Sequence, residues 1–310
     1  MEVSAKILVT GARGMLGSAV VDLLDAQGFK NVLKPSRSEL DLLKEEGVSH
    51  YMRLHRPTHI FHLASLVFGL KGNIQNQLRS LKENTTIYSS LLSACEENPP
   101  QKIFFAGTVA SYPYPFPSLP LKEIDFFSGL PHGGEFGYAM AKRHAYAYLE
   151  LLNKLKGVKF VYGVFTNLYG EHDTYDIENG HVVPSLICKA VTALQNNKPT
   201  FEVWGNPDAT RDFLYIKDAA QAALNCMIGG DGIVNLASGT SVSMHDLAFE
   251  ISNCLNNDVR PVWNPSAPVG ILSRSISTEK LAATGFIPEY PFKQAVENAL
   301  LWYQRNVASL

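Results

Sequence analysis

The sequence predicts an α/β protein, a doubly wound parallel sheet with a smaller discontinuous C-terminal domain. Three observations carry this. Short β-rich apolar runs alternate with helical stretches through the first half of the chain, the pattern of βαβ units. A glycine-rich turn, TGARGMLGSA (10–19), stands between the first apolar run and the first helical one. At 310 residues the chain is long for one core, so a large domain and a smaller companion are expected.

The elements follow in order. KILVTG (6–11) is a continuous apolar run of strand length, and Met15 to Gln27 has apolar residues at helical spacing up to Gly28. NVLKPSR (31–37) is a second strand, a helical segment ends near Arg56-Pro57, and HIFHLAS (59–65) is a third strand. Asn84 to Glu97 reads as helix, KIFFAGT (102–108) as a fourth strand, Tyr138 to Leu155 as helix and KFVYGVFTNLYG (159–170) as a fifth strand. Loop signals dominate 170–205 apart from a helical stretch, Val183 to Gln195. RDFLYIKDAAQAALNCMI (211–228) reads as a strand and then a helix capped by Asp218. GIVNLAS (232–238) is a strand, 243–256 a helix capped by Ser243, and Pro291 to Arg305 an amphipathic helix. The larger domain is assigned to 1–168 plus about 206–238, and the second domain to about 169–205 plus 239–310.

Hydrophobic residues make up 46 % and charged residues 18 %, as in ordinary globular proteins. A net charge of −2 leaves no basic excess to neutralise nucleic acid or an anionic membrane. No apolar run approaches the roughly 20 residues of a membrane span. The start of the chain lacks a secretion signal, so a cytoplasmic location is expected. Cys95, Cys188, Cys226 and Cys254 fit no metal-ligand spacing and read as buried free thiols.

Gly11, Gly14 and Gly17 give the turn a dinucleotide-binding pattern. The first allows the tight turn, the second lets backbone approach a pyrophosphate, and the third lets helix pack on strand. The helix start supplies free N–H groups for phosphate. The second strand ends in KPSRSE, without the acidic residue that holds unphosphorylated ribose hydroxyls. Arg37, with Lys34 close and Arg13 in the glycine loop, suits a 2′-phosphate, so the expected cofactor is NADPH/NADP+. The competing reading makes Lys34 and Arg37 solvated surface charges. Asp41 would bound the adenine pocket. Met15, Leu63, Ala64, Lys142, Phe165 and Leu168 complete the expected cofactor contacts.

FGYAMAK (136–142) puts Tyr138 and Lys142 on one face of a helix at i and i+4. Reducing a ketone needs a proton delivered to oxygen as hydride reaches carbon. A nearby ammonium is expected to lower the phenol from its usual value near 10. Thr108, at the end of the fourth strand, can donate to the same carbonyl oxygen.

These residues resemble the extended short-chain dehydrogenase/reductases and, within them, the GDP-L-fucose synthase family. The resemblance spans nearly the whole chain and rests on GARGMLGSA, HLAS, FGYAMAK, TNLYGEHD (166–173), NGHVVPSL (179–186) and VWGNPDATRDFLY (203–215). It implies a Rossmann domain, a small substrate domain, a GDP-linked keto sugar as substrate and a homodimer. It implies Thr108, Tyr138 and Lys142 as the catalytic Ser/Thr, Tyr and Lys. It also implies Asn167, Lys189, Trp204, Arg211 and Arg274 as sugar-nucleotide contacts. Arg211 and Lys189 are cations suited to a diphosphate, and Trp204 offers a flat face for guanine. Around Arg274 the segment GILSRSIS departs from the family pattern.

Family members also invert carbons 3 and 5, using a cysteine and a histidine. The histidine matches His181. The cysteine belongs two residues beyond the catalytic hydroxyl, where this chain has Ala110. A methyl group donates no proton, and neither Val109 nor Ser111 replaces the thiol. The expectation is therefore an NADPH-dependent C4-ketoreductase of a GDP-linked 4-keto-6-deoxy sugar or 4-keto-heptose, with weak or absent epimerisation. Three alternatives stand beside it: a full GDP-L-fucose synthase, an NAD-retaining epimerase or dehydratase, and a non-enzymatic dinucleotide-binding regulator.

Overall fold

A computed structural model describes residues 1–178, 180–264 and 271–308. Asn179 of the NGHVVPSL motif and residues 265–270 lie outside the described residues.

The first half alternates as expected: β1 (Ile7–Thr10), α1 (Met15–Ala26), β2 (Val32–Leu33), α2 (Glu45–His55), β3 (His59–His62), α3 (Leu70–Gln75), α4 (Gln77–Glu97), β4 (Lys102–Thr108), α5 (Phe136–Lys156) and β5 (Lys159–Phe165). Then follow β6 (Asn167–Tyr169), α6 (Val182–Gln195), β7 (Thr200–Trp204), β8 (Thr210–Tyr215), α7 (Ile216–Gly229), β9 (Gly232–Leu236), β10 (Ser241–Ser243), α8 (Met244–Cys254), β11 (Arg260–Asn264), α9 (Glu279–Ala282) and α10 (Phe292–Asn306).

The main sheet runs β2-β1-β3-β4-β5-β9, every pairing parallel. The chain steps outward from β1 to β2 and returns to β3 on the other side. That reversal makes the β1/β3 edge the switch point, where a crevice opens at the carboxyl ends of the strands. Strand residues alternate between two cores because both faces are covered. Ile7, Val9, Phe104 and Val161 pack on the side of α1 and α7. Leu8, Ile103, Phe105 and Tyr162 pack on the side of α2, α4 and α5. The first core continues without a break into α6, α8 and α10.

Several expectations need correction, the second strand among them, which shrinks from 31–37 to Val32–Leu33. The long fifth strand is two strands, divided at Thr166, whose amide still donates to Leu236 O of β9 while its hydroxyl donates to Asp212 O of β8. β6 then pairs with β8, which also carries β10. Asp218 is not an N-cap. The helix opens one turn earlier, after Tyr215, and buried Asp218 accepts from the amides of Glu289 and Tyr290 at 2.9 and 3.3 Å. Ser243 does cap α8, its Oγ accepting from Asp246 N at 2.9 Å. The short β7–β11 pair falls partly in a stretch that reads as loop. Cys95, Cys188 and Cys226 are buried free thiols, whereas Cys254 is half-buried. Among the described residues no helix is long and apolar enough to cross a membrane.

Candidate active site

The cleft at the switch point has a volume of about 390 Å³ and is lined by Gly11, Arg13, Gly14, Arg37, Asp41 and Ala64, among others. Its shape depends on missing side chains. Gly11 has φ +70°, and a Cβ there would meet Ala64 N at 2.9 Å. A Cβ on Gly17 would lie 1.9 Å from Gly11 O, so only glycine lets α1 start against the turn. Gly14 caps α1 without a side-chain hydrogen bond, leaving the first-turn amides for an anion. Thr10 Oγ1 accepts from the amides of Leu63 and Ala64 and so ties the β1 and β3 ends together. A dinucleotide fits this cradle.

The cations divide. Arg13 and Arg37 line the cleft, and Arg37 is 79 % exposed with only a 3.8 Å contact to Asp41. Lys34 instead faces Asp25 at 3.5 Å, so the cationic pair at the cleft is Arg13 and Arg37. Gly17, Met15, Leu63, Lys142, Phe165 and Leu168 do not line the cleft volume. Gly17 and Leu63 shape it through backbone approach to Gly11. Met15 opens α1 and Leu168 packs on the core. The Phe165 ring is buried against Phe104.

Beside the cleft, the end of β4 meets the start of α5. Thr108 ends the strand, and its Oγ1 accepts from Ala110 N at 3.2 Å. Ala110 is buried in the following 3-10 turn, Val109–Ser111. Ser111 is wholly buried and donates to Ala139 O, so its hydroxyl faces α5. Buried Arg143 clamps this turn onto the helix, donating to the carbonyls of Ser111, Gly129 and Phe126.

Tyr138 and Lys142 share the α5 face as the spacing predicts, with Lys142 Nζ 5.6 Å from the Tyr138 ring centroid. Nζ donates to Ala106 O at 2.5 Å and Ser65 Oγ at 2.7 Å. It sits between the Tyr88 and Phe105 rings at 4.8 and 4.9 Å. The expected electrostatics are reversed. Burial first, then the Glu135 carboxylate, holds the Tyr138 phenol above its ordinary range. Burial brings the Lys142 ammonium down to about 7. Desolvation of both groups outweighs the attraction between ammonium and phenolate. A raised phenol keeps its proton at neutral pH, as a proton donor must.

The third region is cationic. Arg211, at the start of β8, donates to the carbonyls of Thr210, Ile271 and Leu272. Burial, then the nearby Arg274, brings its guanidinium down to about 10. Buried Arg274 reaches this place because Thr210 and Ser273 pair across two segments. Its Nη2 lies 4.0 Å from Glu135 Oε2. Further out, Lys189 Nζ stands 4.0 Å over the half-exposed Trp204 ring. Asn167 donates its amide to Asp212 O at 2.9 Å. His181 precedes the first turn of α6, and its Nδ1 lies 3.5 Å from Asp173 Oδ1. Hydrogen bonding to Asp173 raises the His181 pKa against the opposing effect of burial.

Four participants escape sequence reasoning: Ser65, Glu135, Arg143 and Asp173. All four lie in or beside HLAS, FGYAMAK and TNLYGEHD. Apart from Glu135 and Tyr138, close neighbours in sequence, their partners lie from 8 (Asp173–His181) to 139 (Glu135–Arg274) residues away, and no local pattern marks them. Glu135 acts electrostatically on Tyr138, His181, Arg211 and Arg274 together.

A dinucleotide cradle at the switch point, beside a tyrosine–lysine pair and a strand-end hydroxyl, defines the class as a Rossmann-fold oxidoreductase. Residues 7–237 match the model of the NAD dependent epimerase/dehydratase family, and the chain belongs to that family. It is 30 % identical over 309 residues to a putative GDP-L-fucose synthase 2 of Arabidopsis thaliana, covering 99 % of this chain and 94 % of the relative. Among solved structures it is similar to an NADP-bound GDP-L-fucose synthetase from Naegleria fowleri, with TM-score 0.89, 26 % identity and coverages of 98 and 95 %. It is also similar to an NADP-bound GDP-mannoheptose C4 reductase from Campylobacter jejuni, with TM-score 0.87, 25 % identity and coverages of 98 and 99 %.

Proposed function

We propose that the protein is an NADPH-dependent C4-ketoreductase of a GDP-linked 4-keto-6-deoxy sugar or 4-keto-heptose, with weak or absent epimerisation at carbons 3 and 5. The observation that carries this is the pairing of Thr108, Tyr138 and Lys142 with a buried methyl group at Ala110. The GDP-linked substrate class comes from the relatives, fucose synthases on one side and a heptose C4 reductase on the other.

Bound NADPH supplies the hydride. Gly11, Gly14 and the α1 start hold its pyrophosphate, and Arg13 with Arg37 holds the 2′-phosphate. Met15, Asp41, Leu63, Ala64, Phe165 and Leu168 complete the cofactor pocket by position or backbone. Arg211 and Arg274 neutralise the diphosphate of the sugar nucleotide, Trp204 with Lys189 takes the guanine, and Asn167 and His181 hold the sugar. Thr108 donates a hydrogen bond to the C4 carbonyl oxygen. Tyr138 delivers its proton there as the oxygen becomes basic, and Lys142 stabilises the resulting phenolate. The first domain, 1–168 plus 206–238, carries the cofactor, and the second, 169–205 plus 239–310, carries the nucleotide. A homodimer is part of the same reading.

Inversion needs two proton-exchanging groups, one on each face of the sugar ring, one taking a proton and the other returning one. His181 provides one, and the turn after β4 offers none. The test supplies GDP-4-keto-6-deoxymannose and GDP-4-keto-mannoheptose with NADPH in deuterated water. One of them should be reduced at C4 with no deuterium at carbons 3 or 5. Deuterium at either carbon at the rate of turnover would overturn the reductase-only reading. A Tyr138→Phe variant that still consumed NADPH would overturn the reductase itself.

A further inference from the structure

An ammonium has three donors and no acceptor. Lys142 spends two inside the protein, on Ala106 O and Ser65 Oγ. Ser65 Oγ also accepts from the Tyr88 hydroxyl at 3.0 Å. A hydroxyl oxygen has two lone pairs and one hydrogen, so the lysine and the tyrosine fill both lone pairs. The hydrogen that remains belongs to a residue lining the cofactor cleft. The loop carrying Ser65 is pinned at its next residue: Leu66 N donates to Asn84 Oδ1 at 2.7 Å, and Asn84 Nδ2 donates to Leu66 O at 3.0 Å. Asn84 and Tyr88 are both wholly buried on α4.

We propose that Ser65 is a positioning residue for the reductase couple: by accepting from Tyr88 and Lys142 together, it holds the ammonium so that its third N–H faces Tyr138 and the cleft. The inference rests on the reading of Tyr138 and Lys142 as that couple. The groups around the ammonium make Ser65 consequential. They are His62 from β3, Tyr88 from α4 and Tyr138 on α5, while the Tyr162 hydroxyl from β5 donates to the lysine's own carbonyl. None of these four is a carboxylate. His62, brought down to about 3 by burial and by Lys142, is a neutral neighbour. The charge on Lys142 therefore relies on neutral acceptors, and removing one of them disfavours the ammonium.

The test reads Lys142 directly in the cofactor-free protein. NMR of the Lys142 13Cε resonance across pH, assigned with a Lys142→Met variant, reports its titration without a reagent that must reach the buried side chain. The wild type should titrate near 7. Ser65→Ala should titrate about one pH unit lower, and Ser65→Cys, close in volume but a weak acceptor, should move the same way. Ser65→Thr, which keeps the hydroxyl, should restore the wild-type value. NADPH fluorescence titration should show about tenfold weaker binding for Ser65→Ala at pH 7.5. Equal Lys142 titration in wild type, Ser65→Ala and Ser65→Cys would overturn the proposal. Tyr138→Phe, run in parallel for NADPH consumption, tells the two failures apart. An active Tyr138→Phe sinks the couple, whereas an unshifted Ser65→Ala beside a dead Tyr138→Phe sinks only the role of Ser65.

Discussion

His181 and Asp173 face each other at 3.5 Å, the histidine 46 % exposed and the carboxylate almost wholly buried. A buried carboxylate beside an imidazole favours the charged ring, and the His181 pKa rises accordingly. The direction fixes the pH window. A histidine raised in the folded state contributes stability that is full below its unfolded value near 6.5 and is lost as pH rises through the folded value. Asp173→Asn should therefore bring the His181 midpoint, read by proton NMR of the ring, down to about 6.5 or below. An unchanged midpoint would mean that the pair is not coupled.

Ala110 marks the position where a thiol would complete an epimerising site. Ala110→Cys should introduce deuterium at carbon 3 or 5 of the 4-keto substrate in deuterated water, while C4 reduction continues. The site is tightly packed, so the extra sulfur should lower stability by about 1–2 kcal/mol. A folded Ala110→Cys protein with no exchange would show that the missing thiol is not what limits inversion.

Cofactor preference should lie in two arginines. Arg13→Ala and Arg37→Ala should each raise the KM for NADPH by about 10- to 100-fold, since each removes a charge-assisted contact. The KM for NADH should stay within about twofold, because no 2′-phosphate is present to lose. Steady-state kinetics with both cofactors decides this, and a parallel loss for NADH would place the arginines elsewhere.

Lys142 carries a pH-dependent cost. Its folded value of about 7 lies below the ordinary lysine value near 10.5. Below pH 7 folding bears the whole penalty of a buried ammonium, and the penalty fades between about pH 7 and 10.5 as the folded lysine sheds its proton first. Lys142→Met should unfold at higher temperature than wild type at pH 6, with the gap shrinking toward pH 10. The shift bounds the gain at about 5 kcal/mol, and stranding Ala106 O without its donor removes about 1–2 of that. Thermal unfolding at the two pH values checks the sign.

Local spacing made much of the site legible in advance. Three glycines between a strand and a helix, and a tyrosine and lysine four residues apart, owe their meaning to backbone periodicity, which any window of sequence contains. The methyl group at Ala110 is equally local, two residues from the strand-end hydroxyl. Folding alone decided what crosses between segments. It joined Arg274 to Arg211 through the Thr210–Ser273 pairing, set Asp173 against His181 and hung Lys142 from Ser65. It also reversed the expected acidity of Tyr138. Desolvation sums over every group that excludes water, and the groups that interact with the Tyr138 phenol include Tyr88 of α4 and Tyr162 of β5 as well as Glu135 beside its own helix.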